Sequence, residues 1–272
     1  MYMSILTLLF FTDNNEGRTH MADMTGKTVI ITGGGKGLGF GIANAFAKEG
    51  ANLVITGRTA ATLEKAKAEL EALGAQVIYF TADGAEEDAV NSVVAQTIEK
   101  YGRIDVLINN AQASKSGLML EEHTKKDFDL AINSGLYATF FYMKACFPHL
   151  KETKGVIINF ASGAGLNGRL GQSSYAAAKE GIRGMTRVAA NEWGQYGINV
   201  NVVCPLAMTE SLAQWKEDYP EIYEKTLQGV PMRRFADPEG DVGRVCVFLA
   251  SEDASFITGE TISVQGGGSL RP

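Results

Sequence analysis

From Thr28 onward the chain alternates between short runs of consecutive apolar residues and longer segments in which apolar residues recur every three or four positions. Thr28 to Thr32, Leu53 to Thr56, Ala75 to Phe80, Ile104 to Asn109, Val156 to Phe160, Ile198 to Val203 and Glu260 to Val264 read as strands. Helical periodicity runs from Phe40 to Glu49, Thr59 to Leu73, Glu86 to Tyr101, about Phe128 to Leu150, Tyr175 to about Gly194 and Asp241 to Ala250. In the third of these, Ala89, Val90, Val93, Val94 and Ile98 share one face, and Gly50 and Gly74 close the first two. Continuous apolar strands separated by amphipathic helices predict a parallel sheet covered on both faces. No internal repeat or low-complexity tract interrupts it.

Two stretches depart from this rhythm. The apolar run Ile5 to Phe11 lacks a basic flank and an A-x-A-like cleavage site and is too short to span a bilayer. Residues 1–23 are therefore expected to be a disordered N-terminal extension, and residues 24–272 a single domain. The second is Pro205 to Pro238, which carries Met208, Trp215, Tyr219, Tyr223 and Met232, is interrupted by Pro220 and Pro231, and has no strand pattern. A long segment of that kind inside a compact domain reads as a substrate lid over about 205–238, or as a surface helical hairpin without a ligand role.

Composition narrows the class. With 272 residues, 45% of them hydrophobic, the chain fits one large α/β domain. A net charge of −6 without a Lys/Arg run argues against nucleic acid or an anionic membrane as partner and favours a small molecule. Cys146, Cys204 and Cys246 are far apart, as are His20, His123 and His149, so neither a disulfide framework nor a metal site is expected. The cysteines read as buried thiols of a reducing cytoplasm.

Chemistry concentrates in two motifs. Thr32-Gly33-Gly34-Gly35-Lys36-Gly37-Leu38-Gly39 lies between the first strand and the first helix. There a dinucleotide pyrophosphate can meet backbone N–H groups and the positive end of a helix. Tyr175 and Lys179 lie four apart and so project from one helical face. A lysine beside a phenol is expected to lower a pKa that is ordinarily about 10, as a proton-transfer residue requires.

The spacing Gly33-x-x-x-Gly37-x-Gly39, Asp83 after the third strand, Asn109-Asn110-Ala111 after the fourth, Asn133 in the long helix, Ser162 after the fifth strand and Tyr175-x-x-x-Lys179 resemble the short-chain dehydrogenase/reductase family from Gly26 to Gly268. The resemblance implies a doubly wound, Rossmann-type α/β fold with seven parallel strands, a nicotinamide cofactor, an Asn-Ser-Tyr-Lys tetrad and a homotetramer. Carried over, Tyr175 is the general acid/base, Ser162 holds the substrate oxygen, Lys179 lowers the tyrosine pKa and binds the nicotinamide ribose, and Asn133 keeps a proton-relay water. Gly33 to Gly39, Asp83, Gly84, Asn110 and Thr209 join Tyr175 and Lys179 at the cofactor. The second strand ends in Thr56-Gly57-Arg58 rather than in an acidic residue. Arg58, with Lys36, can clamp a 2′-phosphate, so NADP(H) is expected.

Departures from the family pattern lie where nicotinamide and substrate should meet. Gln112 follows Asn-Asn-Ala, Leu206 follows Pro205, and Thr209 comes one residue early, which puts its carry-over to the carboxamide in question. With Ser134-Gly135-Leu136-Tyr137 and Phe160-Ala161-Ser162-Gly163-Ala164-Gly165-Leu166, these features resemble the bacterial 12α-hydroxysteroid dehydrogenases. That likeness implies a bile-acid substrate, which an apolar, aromatic lid would suit. A 3-oxoacyl thioester reductase and a non-catalytic NADP(H)-sensing module are the alternatives.

Overall fold

The computed structural model describes residues 22–269. The apolar runs become β1 (Thr28–Thr32), β2 (Asn52–Gly57), β3 (Val77–Thr81), β4 (Val106–Asn109), β5 (Val156–Phe160), β6 (Asn199–Pro205) and β7 (Thr261–Val264). All pair in parallel, in the order β3-β2-β1-β4-β5-β6-β7. This is the expected seven-stranded doubly wound sheet.

Because successive side chains on a strand point to opposite faces, each apolar run feeds two cores at once. Val29, Ile31, Leu53, Ile55, Val106 and Ile108 pack on one side with Ile42 and Phe46 of α1 (Gly37–Lys48). Ile30, Val54, Leu107 and Ile157 pack on the other with Tyr142, Cys146 and Leu150 of α5 (Ala138–Thr153) and Val90, Val93 and Val94 of α3 (Glu87–Tyr101). A polar line crosses the sheet beneath the site. Asn109 Nδ2 donates to Asn159 Oδ1 at 2.9 Å, and Asn159 Nδ2 donates to Thr186 Oγ1 at 2.8 Å, so both amide nitrogens find partners, while Asn109 Oδ1 has none.

The helices differ from expectation in ways that matter. α1 begins at Gly37 rather than Phe40, which brings its N-terminus onto the glycine turn. The helix expected over Phe128–Leu150 is α4 (Lys125–Ala131), a π-helical turn (Ile132–Tyr137) and α5 in one rod. A second π-helical turn, Pro238–Gly243, opens α10 (Arg244–Leu249). Its approach to α1 is close: a Cβ on Gly41 would sit 2.4 Å from Pro238 Cβ, and one on Gly243 would sit 2.7 Å from Ala45 Cβ.

Segment 205–238 folds as a helical hairpin, α8 (Glu210–Asp218) and α9 (Pro220–Gln228). Its ends meet through a bridge between Ala207 and Ala236, and Leu206 N–H donates to the Val264 carbonyl at 2.9 Å. Tyr223 is buried against Phe235, while Tyr219, Ile222 and Met232 face solvent.

Residues 1–21 of the expected extension lie outside the described residues. Met24 is fully buried, and its N–H donates to the Glu49 carbonyl at 2.9 Å. No described helix is long and apolar enough to cross a membrane.

Candidate active site

The sheet order reverses between β1 and β4, and a crevice opens at the carboxyl ends of these strands. Thr32 ties its walls together. Its Oγ1 accepts N–H bonds from Asn110 and Ala111, both at 3.0 Å, while Asn110 Nδ2 donates to the Thr32 carbonyl at 2.9 Å. Gly33 and Gly37 adopt φ of 68° and 55°, values that disfavour side chains. A Cβ on Gly39 would lie 2.3 Å from the Gly33 carbonyl oxygen, so the helix can start this close to the turn only with glycine there.

The crevice encloses about 450 Å³. Gly33, Gly35, Lys36, Gly37, Leu38, Gly39, Arg58, Asp83, Gly84, Asn110 and Thr209 all line it, together with Gln112. Gly34 does not: a Cβ there would meet Ile55 Cγ2 at 2.7 Å, so its smallness serves packing against β2. Arg58 and Lys36 are solvent-exposed at the crevice edge. Thr209 caps α8, its Oγ1 accepting from Leu212 N–H at 3.3 Å.

The second half of the site stands on β5 and α7 (Ser173–Trp193). Ser162 caps the short α6 (Gly163–Asn167), an element the apolar pattern did not announce, and its Oγ accepts from Ala164 N–H at 3.1 Å. Tyr175 is half-buried in the first turn of α7. Burial pushes its pKa up, against a smaller lowering by the hydrogen bond to Ser162. Lys179 is buried, its Nζ donates to the Phe160 carbonyl at 2.8 Å, and it sits 5.5 Å from the Tyr175 ring centroid. Burial lowers its pKa to about 8. The expected depression of the tyrosine by the lysine is therefore not what this arrangement produces. Desolvating the phenol outweighs a cation that is turned toward a backbone carbonyl and is itself reluctant to stay charged.

A family model described as enoyl-(acyl carrier protein) reductase matches residues 33–269. The chain belongs to the short-chain dehydrogenase/reductase family. It is 60% identical to a 12α-hydroxysteroid dehydrogenase of a Clostridium species, over 93% of this chain and all of that protein. It is 34% identical to a 3-oxoacyl-(acyl-carrier-protein) reductase of Thermotoga maritima, over 90% of this chain and 98% of that protein. Among solved structures it is similar to levodione reductase, with 34% identity, a TM-score of 0.85 and coverage of 90% and 98% of the two chains. NAD+-bound xylitol dehydrogenase follows at 27% identity and a TM-score of 0.84, with coverage of 90% and 99%. As a short-chain dehydrogenase/reductase the chain is an oxidoreductase of a fold that binds a nicotinamide cofactor.

None of the four tetrad residues lines the crevice of this short-chain dehydrogenase, and Asn133 is set apart from the other three by its exposure. The Asn133 side chain is solvent-exposed and outside the crevice lining. Around Asn133 the rod buries Ala131, Gly135, Ala138 and Thr139, and a residue two positions from a buried one points away from it. Instead Ser134 faces in, exchanging bonds with Ala113: Ser134 Oγ donates to the Ala113 carbonyl at 2.9 Å and accepts from Ala113 N–H at 3.0 Å. The signal for this was present in the unusual pair Gln112 and Gly135, whose contact no periodicity could reveal. Cys146 and Cys246 are buried thiols with pKa values pushed up by desolvation. Among the described residues no His/Cys/Asp/Glu cluster could hold a metal ion.

Proposed function

We propose that the enzyme is an NADP-dependent oxidoreductase that interconverts a 12α-hydroxyl and a 12-oxo group on bile acids. The observation that carries this reading is the 60% identity to a 12α-hydroxysteroid dehydrogenase along that protein's whole length. The crevice fits a dinucleotide, since the glycine turn presents backbone at a helix N-terminus where a Cβ would clash. Gly33, Gly35 and Gly37 would hold the pyrophosphate, Lys179 the nicotinamide ribose, and Arg58 with Lys36 a 2′-phosphate. When bound, the dinucleotide supplies the hydride donor or acceptor.

The proton belongs to the protein's own residues. With its pKa raised, Tyr175 is a neutral phenol at neutral pH, suited to protonating a carbonyl oxygen during reduction. Ser162 Oγ accepts a bond from Ala164 N–H and is hydrogen-bonded to the Tyr175 hydroxyl, so the two hydroxyls can converge on one substrate oxygen. In the oxidative direction the phenol must first lose its proton, which favours alkaline conditions.

Product analysis with cholate and NADP tests substrate, position and cofactor together, and 12-oxo product is expected. Turnover of a 3-oxoacyl thioester with none of cholate would overturn the substrate assignment in favour of the thioester reductase that the 34% identical relative suggests.

A further inference from the structure

Gln112 lines the crevice with its side chain held at one end and free at the other. Its Nε2 donates to the carbonyls of Ala113 and Ala131, at 3.1 and 3.0 Å. Two acceptors at one end identify that end as the amide nitrogen. The Oε1 therefore points the other way, and it is buried without a hydrogen-bond partner in the protein. An unpartnered buried acceptor carries a desolvation cost that a native protein recovers through a bound water or ligand donor. Gly135 makes room for it: a Cβ there would lie 2.1 Å from Gln112 Oε1. Glutamine at 112 in this pose therefore requires glycine at 135.

Gln112 meets the Ile132–Tyr137 turn at Gly135, and that turn packs against α7, which carries Tyr175 and Lys179. β4 and β5 are adjacent, with Asn109 opposite Asn159. Phe160, whose carbonyl takes the Lys179 Nζ bond, follows Asn159 on β5, and Gln112 lies three residues past Asn109, beyond the end of β4. We propose that Gln112, and not Asn133, is the positioning residue whose Oε1 holds the water that carries protons between solvent and the Tyr175–Lys179 pair. This rests on the role given to Tyr175 above. In reduction the phenol gives its proton to the substrate oxygen, and the water returns one from solvent; oxidation runs the same path backwards.

The test compares Gln112→Ala, Gly135→Asn, the double variant Gln112→Gly/Gly135→Asn, Asn133→Ala and Tyr175→Phe in the full chain. Turnover is followed with cholate and NADP, or with a 3-oxoacyl thioester and NADPH if cholate is not turned over, so the substrate assignment and the water site fail separately. Gln112→Ala is expected to lower kcat by about 10²-fold with KM little changed, and to displace the pH profile of kcat. Gly135→Asn is expected to be impaired by its clash with Gln112. The double variant is expected to recover most of kcat, because a carboxamide then reaches the same space from the other wall. A crystal structure of the cofactor complex is expected to show water about 2.8 Å from Gln112 Oε1. An unchanged kcat and pH profile in Gln112→Ala alongside an inactive Tyr175→Phe overturns the water site alone. So does an equal loss in Asn133→Ala. Full activity in Tyr175→Phe overturns the role of Tyr175 and the water site with it.

Discussion

Lys179 stands 3% exposed beside the Tyr175 ring, and the fold holds it at a thermodynamic disadvantage. Burial lowers its pKa from 10.5 to about 8. At about 1.4 kcal/mol per pH unit that gap corresponds to roughly 3 kcal/mol. Between about pH 8 and pH 10.5 the unfolded chain carries a proton that the native chain has lost, so stability rises with pH through that window. Below about pH 8 both states are protonated and the full penalty is present. Lys179→Met removes the charge but also the bond to the Phe160 carbonyl, which offsets the gain by about 1–2 kcal/mol. The variant should therefore be roughly 1–2 kcal/mol more stable near neutrality while losing turnover. Urea unfolding at fixed protein concentration, at about pH 7 and about pH 9.5, measures both effects. The wild type should gain about 2 kcal/mol more than the variant on going to the higher pH. A variant less stable at neutrality, with the same pH dependence as the wild type, would refute the claim that Lys179 is held against its preferred state.

Arg58→Asp should raise KM for NADP by about 10–100-fold, from the loss of charge-assisted bonds to a phosphate, and improve NAD; steady-state kinetics with both cofactors check it. Gly39→Ala should lose cofactor binding in titration calorimetry, since its Cβ would lie 2.3 Å from the Gly33 carbonyl oxygen and displace the turn. Gly41→Ala, whose Cβ would reach 2.4 Å from Pro238 Cβ, should cost about 1–3 kcal/mol in denaturant unfolding, with KM for cofactor little changed if the strain stays between α1 and the turn before α10. The oxidative rate should rise with pH as Tyr175 is deprotonated, and a pH profile that is flat above neutrality would remove the phenol from the rate-limiting step.

Much of the site could be read without coordinates because its chemistry is local in sequence. Gly33 to Gly39 shape one turn, and Tyr175 and Lys179 share one helical face by spacing alone. The strand at Val29 to Ile31 declares itself by composition, since both of its faces are buried. Asn133 could not be placed this way. Its neighbourhood depends on a π-helical turn, where small differences in packing decide which side chain turns inward, and a helical average over Phe128–Leu150 conceals it.

The amino-acid sequence by itself determined the βα alternation, the parallel sheet, the glycine turn and the Tyr-Lys pair, because propensity and period act over a few neighbouring residues. Tertiary structure decided what depends on distant segments meeting. It brought Gln112 against Gly135, set Gly41 under Pro238, and buried Lys179 against the Phe160 carbonyl. It also reversed the expected shift of Tyr175, because a pKa answers to the whole desolvating environment and not to the nearest charge in the chain.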